Sequence, residues 1–257
     1  MAQNTPYMAR TKSFARRGRT LHASTQRTLE KHADKYLIEV PRDGGYTTID
    51  ESYRLDVASE FGRQAPLIVE IGTGNGEQIV AYAKEHPQVN LLGVEVWAQG
   101  IAKGISRAVS QGVDNIRFIE VDAAQALPIM MPQASATEVW TFFPDPWRKA
   151  RHRKRRLVND AFALTIANLL EDDGVWRLAT DWDDYAWQMR DVVEACEYFE
   201  NLHLGDRPDP EDPHPERGGF APRFADRVLT RFEERGQMEG RGAHDLVVRR
   251  LPREESN

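Results

Sequence analysis

The sequence is poor in cysteine, in long apolar runs and in net basic charge, and each shortage narrows what it encodes. One cysteine in 257 residues, Cys196, rules out an intramolecular disulfide framework and a cysteine-based zinc site. It reads as a small buried side chain in a helix, and a reducing, cytoplasmic setting is the default expectation. No apolar run approaches the ~20 residues of a membrane helix; the longest candidate, Ala161 to Leu170, is interrupted by Thr165 and Asn168. The N-terminal stretch, with Arg10, Lys12, Arg16, Arg17 and Arg19, lacks the apolar segment of a secretory leader. His152 and His244 have no paired ligands, so no metal site is expected.

A net charge of -6 argues, taken alone, against a nucleic-acid partner. The distribution reverses that reading. Residues 1 to 36 carry eight Lys/Arg and two acids, and residues 148 to 156 carry seven Lys/Arg and no acid. The remaining 212 residues hold 19 basic and 38 acidic groups. An acidic body with two basic patches is the pattern of a protein with one polyanion-facing side.

Residues 1–20 are polar and basic without apolar periodicity and read as a mobile arm. Residues 21–250 read as one domain, followed by a tail over 251–257. An irregular helical pattern runs from Ser24 to Val40. Strands are expected at Leu67–Ile71, Asn90–Val96, Asn115–Val121, Glu138–Phe143 and Val175–Ala179, with further strands near Leu202 and at His244–Arg250. Helices are expected at Glu77–Glu85, Ala98–Ser110, Leu157–Leu170 and Tyr185–Tyr198. Five prolines and several acids make residues 205–222 an exposed loop by composition. Alternating strands and helices predict an α/β fold with a doubly wound, mostly parallel sheet, whose ligands sit beyond the carboxyl ends of the strands.

Three glycines, Gly72, Gly74 and Gly76, lie between the first of these strands and its helix. Glycine suits a sharp turn whose backbone a ligand approaches closely. The spacing differs from the dinucleotide G-x-G-x-x-G, because Glu77 stands where the third glycine belongs, and this weighs against a nicotinamide-dependent oxidoreductase. Glu70, Glu95 and Asp122 stand at the ends of three successive strands. A carboxylate in the Glu95 position accepts ribose hydroxyls, while acids beside the glycines repel a pyrophosphate and favour a cationic nucleoside. S-adenosylmethionine, with a ribose, a sulfonium and an ammonium, meets that description.

The most informative stretch follows the fourth strand: Phe142-Phe143-Pro144-Asp145-Pro146-Trp147-Arg148-Lys149-Ala150-Arg151-His152-Arg153-Lys154-Arg155-Arg156. Prolines on both sides of Asp145 restrain its backbone. A fixed carboxylate beside an indole suits a flat heterocycle, N–H groups on the acid and one face on the ring. A non-catalytic RNA-binding module would explain the basic run but not the acids around the glycine turn.

Together with Gly93-Val94-Glu95 and Thr230-Arg231-Phe232-Glu233-x-Arg235-Gly236, these motifs resemble the bacterial tRNA (guanine-N7-)-methyltransferase family, over about Tyr53 to Arg250. The departures are Trp97, where the family often has histidine, and Val228, where a proline is common. The resemblance implies a class I (Rossmann-like) methyltransferase with a C-terminal antiparallel strand, methylating guanine 46 in the tRNA variable loop. It implies that Glu70, Gly72, Gly74, Gly76, Glu95, Asp122 and Asp145 hold S-adenosylmethionine. It assigns Lys149, Asp181, Thr230, Arg231, Phe232 and Glu233 to the substrate, and Arg151, His152, Arg153, Lys154, Arg155 and Arg156 to RNA. Asp145 is the expected catalytic group. Thr230-x-x-Glu233 is also a helix-capping pattern, and Asp181 is also placed to cap a helix, so both have structural readings as well. Another RNA guanine is an alternative target.

Overall fold

Apolar runs bounded by glycine and proline become strands because parallel strands covered by helices are buried on both faces and need no polar alternation. The chain is described by a computed structural model covering residues 12–14 and 21–253. In order its elements are α1 (Ala23–Tyr36), β1 (Leu37–Ile38), α2 (Val57–Phe61), β2 (Leu67–Ile71), α3 (Glu77–Glu85), β3 (Asn90–Glu95), α4 (Ala98–Gln111), β4 (Ile116–Glu120) and α5 (Ala123–Met130). Then come β5 (Ala136–Phe142), a 3-10 turn (Ala150–Arg155), α6 (Asp160–Leu169), β6 (Leu170–Thr180), α7 (Asp183–Ala195), β7 (Phe199–Asn201), α8 (Arg231–Met238) and β8 (His244–Arg250). One sheet has the order β1-β4-β3-β2-β5-β6-β8-β7. Pairing is parallel from β1 through β6, and β8 runs antiparallel to both β6 and β7.

Neighbouring residues within each strand divide between two cores. Ile68, Leu91, Phe118 and Trp140 pack with residues of α1, α3 and α4, while Val69, Leu92, Ile119 and Val139 pack with α5, α6 and α7. Each such side chain contributes roughly 1.5–3 kcal/mol when fully buried. Strand order reverses between β2 and β5, because β2 pairs with β3 on one side and β5 on the other. The crevice this leaves lies beyond the carboxyl ends of those two strands. No helix among the described residues is long and apolar enough to cross a membrane.

The sequence pattern missed β1, α2 and α5. Pro128 lies inside α5, and an internal proline reads as a helix break. The helix expected from Leu157 starts at Asp160, where the Asn159 side chain accepts a hydrogen bond from Phe162 N at 3.1 Å. β6 begins five residues before the expected Val175, at Leu170.

The loop over 205–222 is largely exposed, as expected, all five of its prolines included, but it is anchored at Asp212 and at residues 218–221. Arg190, 1% exposed on α7, donates to the Gly218 carbonyl at 3.0 Å and pairs with Asp212, 4% exposed. A buried guanidinium needs its counter-charge within the fold, and the loop supplies it. Phe220 and Ala221 are also buried. The expected mobile arm falls mostly outside the described residues, as do residues 254–257 of the tail.

Candidate active site

The glycine turn carries the first wall of the crevice. Gly72, Gly74 and Gly76 all have positive φ, a region that costs side-chain-bearing residues about 1–2 kcal/mol. At Gly76 a Cβ would also come within 2.7 Å of the Gly104 Cα, so this glycine lets α3 pack on α4 and lies outside the cleft lining. Gly72 and Gly74 line the cleft with Glu70, Glu95, Asp122 and Asp145. Glu95 holds the turn: its carboxylate accepts from Gly74 N at 2.8 Å, Val96 N at 2.7 Å and Trp97 N at 3.0 Å. Asp122 caps α5, accepting from Ala124 N at 3.2 Å.

Glu70 differs from its neighbours. It is 4% exposed and its Oε2 has no hydrogen-bond partner. Burial, and then the charge of Glu95, push its carboxyl up to about 8 against a backbone hydrogen bond involving Ile79. Two further buried oxygens without partners, Thr73 Oγ1 and Asn75 Oδ1, lie on the same turn. Buried polar atoms are normally paired. A cluster of unpaired acceptors beside an acid therefore matches a ligand that brings a cation and donors.

Asp145 stands exposed on the opposite wall. Phe143 and Trp147, two residues away on each side, have φ of 51° and 45°, a left-handed conformation that persists only where the surroundings impose it. Phe143 N is anchored to the Ala179 carbonyl at 2.8 Å. Arg156 donates to the Pro146 carbonyl at 2.8 Å and grips Asp184 at 2.8 and 2.9 Å, with Gln188 at 2.8 Å.

That geometry corrects the RNA-facing role expected of Arg156. It is 2% exposed, and its fork holds the Pro-Asp-Pro turn rather than reaching a phosphate. Arg155 is diverted as well: it lies 3.5 Å from the Trp147 ring centroid and donates to the Lys12 and Phe14 carbonyls at 2.9 and 3.2 Å. The Trp147 indole N–H donates to the Ser13 carbonyl at 2.7 Å. One face of this ring is thus covered, so it fastens residues 12–14 at the cleft instead of offering that face to a heterocycle. Arg151, Arg153 and Lys154 are exposed, as are Arg148 and Lys149, and Arg153 shares Asp184 at 2.6 Å. Partial desolvation and the surrounding cations hold the His152 imidazole below its ordinary value, so it adds little charge at neutral pH.

The third wall is α8. Thr230 Oγ1 accepts from Glu233 N at 3.4 Å as its cap; Thr230, Arg231 and Phe232 line the cleft, and Phe232 is 55% exposed. Glu233, expected at the substrate, is corrected: it is 2% exposed and paired with Arg223 at 2.8 Å and Arg227 at 3.1 Å. Asp181 and Lys149 lie outside the cleft lining. Asp181 does not cap α7; it accepts from Arg241 Nε at 2.8 Å, and a Cβ on Gly236 would come within 2.6 Å of its Oδ2.

Gln78 and Arg227 were not anticipated. Gln78, 2% exposed, donates to the Asp226 carbonyl at 3.1 Å and accepts from Val228 N at 2.8 Å, stitching the approach to α8 onto α3. Neither residue belongs to a motif, and nothing local in the sequence marks either.

The fold is that of a class I methyltransferase. The solved structure of the 16S rRNA (adenine(1408)-N(1))-methyltransferase of Catenulisporales acidiphilia matches over 82% of this chain and 96% of its own, with a TM-score of 0.54 at 13% identity. A family model described as "Putative methyltransferase" matches residues 64–246. The tRNA (guanine-N(7)-)-methyltransferase of Paenarthrobacter aurescens is 39% identical across 95% of this chain and 93% of its own. Its counterpart from Cutibacterium acnes is 42% identical across 93% and 83%. The chain belongs to the tRNA (guanine-N7-)-methyltransferase family.

Proposed function

We propose that this protein transfers a methyl group from S-adenosylmethionine to N7 of guanine 46 in the variable loop of tRNA, in the cytoplasm. The observation that carries the reading is the crevice at the strand-order switch, with the buried acid Glu70, whose Oε2 has no partner, on one wall and the doubly restrained Asp145 on the other. Beyond Asp145, exposed Arg148, Lys149, Arg151 and Lys154 form a basic rim suited to a phosphate backbone. The relatives' names supply the substrate.

The residues fit the cofactor. Glu70 and the partnerless Thr73 and Asn75 oxygens await a cation and donors, and Glu95 presents a carboxylate already oriented by three backbone N–H groups. When bound, the cofactor supplies an electrophilic methyl on a positively charged sulfur. Guanine N7 would take that methyl with its in-plane lone pair, the methyl leaving the sulfur and the positive charge passing to the imidazole ring, with no proton to remove from N7. A strong general base is therefore unnecessary. The chain's task is alignment, which supplies on the order of 7–11 kcal/mol, together with a carboxylate near the developing positive charge. Asp145 takes that role, while Thr230 and Phe232 border the space above the glycine turn.

The test incubates the protein with methyl-labelled cofactor and unmodified tRNA, digests the product to nucleosides, and maps the labelled position. Label in 7-methylguanosine at position 46 is expected. No 7-methylguanosine refutes the activity, and label at a different guanine refutes the position.

A further inference from the structure

Arg227 borders the cleft with a fully buried side chain, and three parts of the fold converge on it. Its Nη2 donates to Glu233 Oε1 at 3.1 Å and to Asp245 Oδ2 at 3.0 Å, and its Nη1 donates to Asp245 Oδ1. Glu233 lies in the first turn of α8 and Asp245 in β8. The third part is the turn after β5: the Phe142 and Phe143 ring centroids each lie 5.4 Å from the guanidinium carbon. Phe143 is the residue with φ of 51° two positions before Asp145.

We infer that Arg227 is a positioning residue for methyl transfer, clamping the substrate-side helix α8 to the turn that carries Asp145. The inference rests on the methyltransferase reading above. Two arginines, Arg223 and Arg227, face two acids, Glu233 and Asp245, so the cluster is neutral. Arg223 covers the outer side of Glu233 with its own side chain 40% exposed, and it makes no contact with Phe142 or Phe143 among those described. Of the two arginines, Arg227 is the one whose guanidinium reaches both acids and the Phe142 and Phe143 rings; Phe224 adds a weaker link, its N–H donating to Asp245 Oδ1 at 3.3 Å and its ring centroid lying 6.4 Å from that of Phe142. The planar fork of Arg227 meets both carboxylates while resting against the rings, an arrangement a lysine ammonium does not reproduce. A shift at Arg227 would move the first turn of α8, with Thr230 and Phe232, relative to Asp145, while the glycine turn keeps its own anchor in the backbone N–H groups held by Glu95.

The experiment compares full-length Arg227→Lys and Arg223→Lys with wild type in single-turnover methylation, KM for tRNA, affinity for S-adenosylhomocysteine and melting temperature. Arg227→Lys is expected to lose about 100-fold in rate, the effect of misplacing a reacting group by about 1 Å. Its cofactor affinity and KM are expected to stay within about threefold of wild type, and the Arg223→Lys rate likewise. Should Arg227→Lys not fold, the combination Arg227→Met, Glu233→Gln and Asp245→Asn removes the buried charges together and should show the same rate loss. A folded variant of either kind methylating within threefold of wild type overturns the clamp, even if its melting temperature falls. Absence of 7-methylguanosine from wild type refutes the function itself, so the two failures are separable.

Discussion

Replacing Glu70 by glutamine should uncouple cofactor binding from protons and stabilise the empty protein. The free glutamate is raised from 4.5 to about 8, first by burial and then by Glu95. At pH 7 it is therefore about nine-tenths protonated. An ammonium docking beside it favours the ionised form, so binding should release about 0.9 proton at pH 7. Affinity should rise about 50-fold between pH 6 and pH 8, as the ionised fraction grows from about 1% to about half. The same shift opposes folding: the unfolded glutamate ionises above 4.5, whereas the folded one keeps its proton until about 8. Folded protein binds more protons across that window, so this group's contribution to stability falls as pH rises, by up to ~5 kcal/mol in total. Glu70→Gln removes that burden, and its melting temperature at pH 8 should exceed wild type's. Its affinity for S-adenosylhomocysteine should be nearly flat from pH 6 to pH 8 and at least about tenfold weaker than wild type's at pH 8. Calorimetry in two buffers of different ionisation heat counts the protons, and thermal melts follow the stability. Proton release near zero in wild type, with affinity unchanged from pH 6 to pH 8, would refute the reasoning.

Four further outcomes follow from the geometry. Asp145→Ala should abolish methyl transfer while leaving the melting temperature within about 2 °C, because the side chain is exposed; a near wild-type single-turnover rate would sink its assignment. Neutralising Arg151, Arg153 and Lys154 together should flatten the salt dependence of tRNA affinity by roughly 0.7–0.9 per lost phosphate contact, and an unchanged slope would make them a solvated face. Arg156→Met should cost about 2–3 kcal/mol in denaturant unfolding, since it strips the Pro146 carbonyl and half of the Asp184 pairing; a variant as stable as Lys154→Ala would contradict that role. Gly236→Ala should weaken activity by displacing α8 from Asp181, where the new methyl would lie 2.6 Å from Oδ2; unchanged kinetics would show that the helix yields at no expense.

The strands and the glycine turn were legible because their signals are local. Five consecutive buried residues in β2, followed by glycines whose positive φ excludes most side chains, announce strand and turn without reference to anything distant. The acids Glu70, Glu95 and Asp122 were legible for the same reason: Glu70 is the penultimate residue of β2, Glu95 ends β3 and Asp122 follows β4, and a parallel sheet brings strand ends to one edge. The basic run was legible as a run but not residue by residue. Arg151 to Arg155 lie in a 3-10 turn, where successive side chains point about 120° apart, and Arg156 follows it. Neighbours of identical type therefore meet solvent, an indole face or a half-buried aspartate according to direction. The proline-rich loop was legible as exposed, and its five prolines are; its anchor was not legible, because Asp212 is buried by an arginine 22 residues earlier in the chain.

By itself, then, the sequence determined the order of strands and helices, the turn chemistry, the edge where the acids gather and the family. Only the tertiary structure decided which charges face solvent and which hold the protein together. The physical reason is range: backbone periodicity and turn conformation depend on residues a few positions apart. Burial and charge pairing depend on partners such as Arg227 and Asp245, or Asp181 and Arg241, that the chain brings together across 18 and 60 positions.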